Sequence, residues 1–148
     1  MMKFKRVELK GYNDEGKAIV YDLELRGNVT IVKGDSGTGK TLMCQVVKQM
    51  ISYGDKDKIV FDDKNVSSVS VAVLQTYKNK LILFDDADIT LRGELLKYVL
   101  SDKNNYYILF RRDNYDVHLS PNYYAEIVLG NDRVRRLKYT WEKVGWYD

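Results

Sequence analysis

The chain has 148 residues, 45% hydrophobic and 30% charged, with a net charge of +3. That suffices for one domain (residues 1–148) with a real core, leaves no room for a large second module, and includes no apolar run able to span a bilayer. The lone cysteine, Cys44, excludes an internal disulfide and reads as a small packed hydrophobe, which together with the lack of a signal-peptide core after Met1-Met2-Lys3-Phe4-Lys5-Arg6 suggests a cytoplasmic protein.

Residues 4–9 alternate apolar and charged side chains as a half-exposed strand does, and Ala18–Leu25 repeats the pattern after a turn containing Gly11, Asn13, Asp14 and Gly16. The two read as an antiparallel hairpin. Gly27-Asn28 turns the chain into the buried strand Val29–Lys33, which runs into Gly34-Asp35-Ser36-Gly37-Thr38-Gly39-Lys40-Thr41. After this loop, Leu42, Val46, Val47, Met50 and Ile51 recur at helical spacing until Gly54-Asp55. Lys58–Phe61 is a short strand. Residues 66–77 have helix-like spacing but are rich in β-branched residues, which lose side-chain freedom in a helix. Residues 80–86 are an apolar run ending in Asp85-Asp86, residues 91–100 a helix, and residues 106–110 a buried strand followed by Arg111-Arg112. Residues 125–129 and 134–140 close the chain as a hairpin around Gly130-Asn131-Asp132. Strands alternating with helices imply a mainly parallel sheet with helices on both faces, flanked by the two antiparallel hairpins.

The loop after the third strand carries the clearest chemistry. It spells G-x-x-x-x-G-K-[ST] between a strand and a helix, the context in which that spacing binds phosphate. Its glycines let backbone N–H groups converge on an anion, and the helix start aims its positive dipole end at the same place. Lys40 is placed to reach the β- and γ-phosphates, and the Thr41 hydroxyl to ligate Mg²⁺. The expected nucleotide-binding set is Gly34, Asp35, Ser36, Gly37, Thr38, Gly39, Lys40, Thr41 and the adjoining Leu42. Within it the Asp35 side chain should face away from phosphate.

In a parallel sheet, ligands gather at the carboxyl ends of the strands, where the loop, Asp85-Asp86 and Arg111-Arg112 all fall. Mg²⁺ needs a hard oxygen ligand, and Asp85 follows five apolar residues at a strand tip. Asp86 could orient or deprotonate an attacking water, or join Asp88 and Thr90 in capping the next helix. Arg111, Arg112 or Asn114 could stabilise charge on the γ-phosphate, although adjacent arginines at a strand end are also commonly solvated. Lys40, Asp86 and Arg111 are therefore the catalytic candidates, and Thr41 and Asp85 the metal ligands. Arg133, Arg135, Arg136, Lys138 and Lys143 lie near Tyr139, Trp141, Trp146 and Tyr147. That mixture suits nucleic acid, but it equally describes the solvent face of an edge hairpin, the reading favoured by the small net charge.

Residues 34–41 resemble a Walker A motif and residues 81–86 a Walker B motif, and their order along the chain is similar to that of the additional-strand branch of P-loop NTPases. The opening hairpin before the loop strand resembles the heads of SMC-, RecF- and ABC-like ATPases, and an AAA-type domain is the other likeness. The resemblance implies a three-layer P-loop NTPase fold, Mg²⁺ and ATP as cofactors, and action as an oligomer or with a partner. It also implies the adenine preference, since the sequence shows no N-K-x-D-type guanine reader. There are departures: no L-S-G-G-Q-type signature and no coiled-coil insertion. Gln75 falls within a helical segment, and His118 comes several residues too late to act as a switch histidine.

Three functions fit this reading. The first is a compact ATPase that transfers phosphoryl to water by positioning and charge stabilisation. A nucleotide-binding switch with little turnover is the second, favoured by the missing signature and by an aspartate, shorter than glutamate, at position 86. The third is a small-molecule or nucleoside kinase, although no arginine-rich lid is evident.

Overall fold

A computed structural model describes residues 5–33, 40–87, 91–111 and 123–139. The opening hairpin forms as expected, with β1 (Lys5–Tyr12) and β2 (Ala18–Leu25) antiparallel in a register that pairs Lys5 with Leu25 and Tyr12 with Ala18. On β2, Ile19, Tyr21, Leu23 and Leu25 are buried in alternation with more exposed neighbours. β1 runs three residues beyond its alternating pattern, and the reason is tertiary. Gly11 lies against the following helix, where a Cβ would meet Gln49 Oε1 at 2.5 Å. The Gln49 side chain then serves as a substitute strand: its amide oxygen accepts from the Tyr12 N–H at 2.8 Å and its amide nitrogen donates to the Tyr12 carbonyl at 2.7 Å.

β3 (Val29–Lys33) leads to α1 (Lys40–Ser52). Gly54, at φ +106°, ends the helix in the left-handed conformation that glycine tolerates. Its N–H donates to the Ile51 carbonyl and that of Asp55 to the Met50 carbonyl, both at 3.0 Å, which satisfies two of the last carbonyls of the helix. β4 (Lys58–Phe61) follows. The segment expected to be helix-like over 66–77 splits into a 3₁₀ turn, Val66–Ser68, and a short helix, α2 (Val71–Gln75), capped by the Ser70 hydroxyl, which accepts from Val73 N–H. Its β-branched valines hold helical structure for little more than a turn. Then come β5 (Leu81–Phe84), α3 (Gly93–Ser101), β6 (Tyr106–Arg111), β7 (Tyr124–Leu129) and β8 (Val134–Tyr139).

All eight strands belong to one mixed sheet in the order β1-β2-β8-β7-β3-β6-β5-β4. From β7 to β4 every pairing is parallel. The hairpins are thus not attached at the two ends of a parallel sheet. β2 pairs in parallel with β8, from Val20–Val134 to Asp22–Arg136, which joins both hairpins to one side of the sheet. Each strand-to-strand step adds roughly 20–25° of twist, so the four steps from β3 to β1 accumulate to about a right angle. The sheet therefore curls strongly into a half-barrel.

Two hydrophobic cores lie on opposite sides of the sheet. The first surrounds α1: Met43, Cys44, Val46 and Val47 pack with Leu9, Tyr21 and Leu23 of the hairpin and with Val32, Leu83 and Phe110 of the parallel strands. The second joins Leu74 of α2 and Val99 of α3 to Ile31, Ile82, Phe84 and Leu109. Neighbouring residues of β5 and β6 thus point alternately to the two cores, as strand geometry requires. Full burial of an aliphatic side chain such as Val46 or Met43 contributes about 1.5–3 kcal/mol, so wrapping α1 is a large part of the stability.

Candidate functional site

The parallel strands β3, β4, β5 and β6 all end at one edge of the sheet, and register fixes how their last residues align. Lys33 of β3 lies beside Arg111 of β6, while Phe84 of β5 lies beside Leu109 of β6 and Phe61 of β4. Asp85 is therefore next to Phe110, one step beyond the ladder, and its N–H donates to the Phe61 carbonyl at 2.9 Å. β6 stands between β3 and β5, so the loop strand and the acidic strand are two strand spacings apart, roughly 10 Å.

Residues 34–39 of the phosphate-loop motif (Gly34, Asp35, Ser36, Gly37, Thr38 and Gly39) lie outside the described residues, as does the side chain of Lys40. The backbone on either side is placed: β3 stops at Lys33 and α1 starts at Lys40. Thr41 is exposed in the first turn of the helix, and Leu42 is half-buried against the first core. No acidic residue occupies that first turn, so nothing within it offsets the positive dipole end.

Strand alternation divides the remaining candidates between the two sides. Leu83 faces α1, so Asp85, two residues on, falls on the same side, and the field of Asp85 is felt at Lys48 of α1. Arg111 goes the other way. It is 7% exposed, and its guanidinium carbon lies 5.3 Å from the ring centroid of Tyr124, a member of the second core. Asp86 is partly exposed and adopts φ +49°, the left-handed region that aspartate tolerates better than most residues. Thr41 and Asp85 are thus on the α1 side of the edge, while Arg111 packs on the opposite side. Arg112, Asn114, His118, Asp88 and Thr90 lie outside the described residues, and Gln75 is exposed on α2.

Among the described residues no group of three or more His, Cys, Asp or Glu is arranged to hold a metal ion. A structural zinc or an all-protein calcium cage is therefore not built here. The donors at the edge are one hydroxyl, Thr41, and one carboxylate, Asp85. That hard-oxygen pair suits Mg²⁺, which keeps most of its coordination for water and phosphate oxygens.

Lys48 and Asp62 belong to the same edge but have no place in the motifs. The Lys48 ammonium lies 2.8 Å from Asp62 Oδ2 at the carboxyl end of β4. That contact holds the Asp62 carboxyl below its ordinary range, and the same hydrogen bond raises Lys48 above its own. The available signal for Asp62 was its position directly after an apolar strand, the same as that of Asp85.

The basic residues of the last hairpin are mostly matched within it. Arg135 stacks over Tyr21 with 6.0 Å between guanidinium and ring centre, and Lys138 is opposite Glu126. Arg136 grips both oxygens of Asp132, at 3.1 and 2.7 Å, which pulls the Asp132 carboxyl down to about 2. A cavity of about 260 Å³ lies at the far end of the sheet between the start of β1 and Asp57, Lys58 and Leu81. Two of the cations lining it are already engaged, Lys58 with Asp55 at 2.7 Å and Arg6 with Asp22 at 3.2 Å, so it reads as the gap between approaching sheet edges. No described helix is long and apolar enough to cross a membrane. Comparison with protein-family models, curated proteins and solved structures gave no significant match.

Proposed function

We propose that the chain is a compact Mg²⁺-dependent ATPase of the additional-strand P-loop type, with the three-layer fold of that class, acting as an oligomer or with a partner. The observation that carries this reading is topological. A strand bearing G-x-x-x-x-G-K-T and a strand ending in Asp85-Asp86 flank β6, the intervening strand for which that branch is named, and both deliver their motifs to one edge. A Gly-rich turn that spelled the motif by chance would have no reason to face an acidic strand tip across an inserted strand.

In this reading the N–H groups of residues 34–39 and the start of α1 hold the phosphates, with Lys40 balancing their charge. Thr41 and Asp85 hold the metal, which when bound neutralises developing negative charge on the phosphoryl group. Asp86 holds and orients the attacking water, and its left-handed backbone turns the residue out of the strand direction. Catalysis is then positioning plus electrostatics in a site closed by a second chain. Phosphate release from Mg·ATP over a range of protein concentrations, with Lys40→Ala as the blank, tests this. Release above the blank is expected, with specific activity rising with concentration; release equal to the blank overturns the hydrolase reading.

A second reading, a nucleotide-dependent switch with little turnover, is favoured by Arg111. Its guanidinium stacks on Tyr124 on the side of the sheet away from α1, so it is not aimed at the phosphate side. In that case ATP stabilises the fold strongly while phosphate release stays at the blank. Nucleic-acid binding through Arg133, Arg135, Arg136 and Lys138 is not favoured, because three of these four already face Tyr21, Asp132 and Glu126.

A further inference from the structure

Lys48 sits seven residues after Thr41 on α1, two turns away and therefore on the same face of the helix. Helical side chains lean toward the N-terminus, so its long stem carries the ammonium toward the carboxyl edge of the sheet. Two carboxylates at that edge act on it. Asp62 receives it directly at 2.8 Å, and Asp85 exerts a weaker pull from the neighbouring strand.

Asp62 is pre-set for this task by its own turn. Its Oδ1 accepts from the N–H of Lys64 at 2.9 Å and of Asn65 at 3.2 Å, and its N–H donates to Asn65 Oδ1 at 2.7 Å. Asn65 is anchored in turn by its side-chain donation to the Val60 carbonyl at 2.9 Å. The turn orients the carboxylate, and Oδ2 takes the ammonium. Asp85 is tied to the same strand end through its N–H and the Phe61 carbonyl.

We propose that Asp62 and Lys48 are positioning residues of the metal–phosphate site: Asp62 draws the Lys48 ammonium away from Asp85, leaving the Asp85 carboxylate to a divalent cation. The proposal rests on the reading of this edge as a Mg·ATP site. Its physical content is competition between cations for one carboxylate. An ammonium beside Asp85 both occupies a ligand oxygen and repels Mg²⁺, whereas the same ammonium held by Asp62 does neither.

The test is calorimetric titration of ATP into the protein at several Mg²⁺ concentrations, reading how much Mg²⁺ tightens binding. The chains compared are wild type, Asp62→Asn, Lys48→Met and the double variant, each checked by thermal melting. Asn at 62 keeps an amide oxygen for the turn, and Met at 48 keeps the apolar stem. In Asp62→Asn the ammonium loses its nearer carboxylate and moves to Asp85. The Mg²⁺ enhancement should then fall about five- to tenfold, the size of a divalent–monovalent repulsion across a few ångströms of high-dielectric medium. Removing the ammonium as well should restore it, and Lys48→Met alone should leave it equal to or greater than wild type. A double variant as weak as Asp62→Asn, or an Asp62→Asn that equals wild type, overturns the proposal. Should Asp62→Asn melt out, Lys48→Met still decides, since a loss of Mg²⁺ enhancement there means that the lysine supports the metal directly. If wild type shows no Mg²⁺-dependent ATP binding, the parent reading fails, and this inference fails with it.

Discussion

The two ends of the parallel strands use carboxylates in opposite ways. At the amino end, Asp102 is only 5% exposed and fully engaged: Oδ2 accepts from the Tyr107 hydroxyl at 2.7 Å and from the Asn105 amide at 2.9 Å, and Oδ1 from the Asn104 N–H at 2.8 Å. The Asn105 amide also donates to the Tyr77 carbonyl, and its oxygen accepts from the Lys80 N–H, while Asn28 donates to the Asn105 carbonyl. One buried cluster thereby ties the end of α3 to β6, to the α2–β5 connection and to the turn before β3. At the carboxyl end, Asp85 and Asp86 follow their strand without entering the ladder, half-exposed, one of them in a left-handed conformation. A carboxylate surrounded by donors from three elements is architecture. A carboxylate placed at a strand tip beside a helix start is available for chemistry.

The strongest way to break this contrast is to remove Asp102. Asp102→Ala leaves the buried Tyr107 hydroxyl and an Asn105 N–H without their acceptor, and should destabilise the fold by about 3 kcal/mol. For a chain of this size that corresponds to roughly 6–12 °C in melting temperature. Urea melts check the loss, and nucleotide affinity of the folded fraction should be unchanged. Asp85→Asn should show the reverse pattern. Stability should stay within about 0.5 kcal/mol of wild type, as for a substitution outside the core, while Mg²⁺-dependent ATP binding weakens on the order of 100-fold through loss of a charged metal ligand. Equal melting losses for the two variants would erase the distinction between the two ends.

Asp86 sharpens the comparison because its backbone and its side chain can be tested separately. Glycine accepts φ +49° without a Cβ penalty, so Asp86→Gly should retain or gain up to about 1 kcal/mol of stability while removing the carboxylate. Asp86→Asn keeps the left-handed tolerance and most of the side chain. If Asp86 orients water, both variants bind Mg·ATP as wild type does and release phosphate at least about tenfold more slowly, a modest general-base contribution. Unchanged release from both would assign the residue to helix capping.

How legible each end was in the sequence follows the same division. The carboxyl-edge motifs are local: Lys33 to Thr41 and Leu81 to Asp86 announce strand, loop and acid within a few residues of one another. The strands β3, β4 and β5 could be read from their apolar runs for the same reason. The amino-end cluster could not, because Asn28, Asn105 and Asp102 look like ordinary turn residues until the fold brings them together. Nor could the continuation of β1 through Gly11 and Tyr12, which depends on Gln49, 37 residues away. The pairing of β2 with β8 is also non-local: nothing in either hairpin states that the two will join in parallel. Lys48 and Asp62 fall between these cases. Each has a local appearance, exposed helix face and turn, and only their 2.8 Å contact shows that they share the edge with Asp85.

The smallest expected effect concerns pH, and it too separates the two ends. Burial, then the nearby Asp102 carboxylate, raises the Tyr107 hydroxyl above its ordinary value of 10.0. Below that pH both folded and unfolded chains keep the proton, and the contribution is complete. Above it the unfolded chain ionises first, so stability falls as pH rises. Lys48, raised above 10.5, acts in the same direction. Asp62 acts at the other extreme: its carboxyl lies below 3.8, chiefly through Lys48, so the unfolded chain takes up a proton first as pH falls, and stability declines through the depressed folded value. Lys48 is half-exposed, so solvent screening limits the Asp62 contribution to about 1 kcal/mol or less. Urea melts from pH 3 to 11 should therefore show Asp62→Asn flattening only the acid limb and Tyr107→Phe flattening only the alkaline limb, with the neutral region unaffected by either titration. An acid limb that Asp62→Asn leaves intact would mean that the ion pair is equally open to protons in both states. Asp62 would then have no hold on Lys48 strong enough to keep it from Asp85.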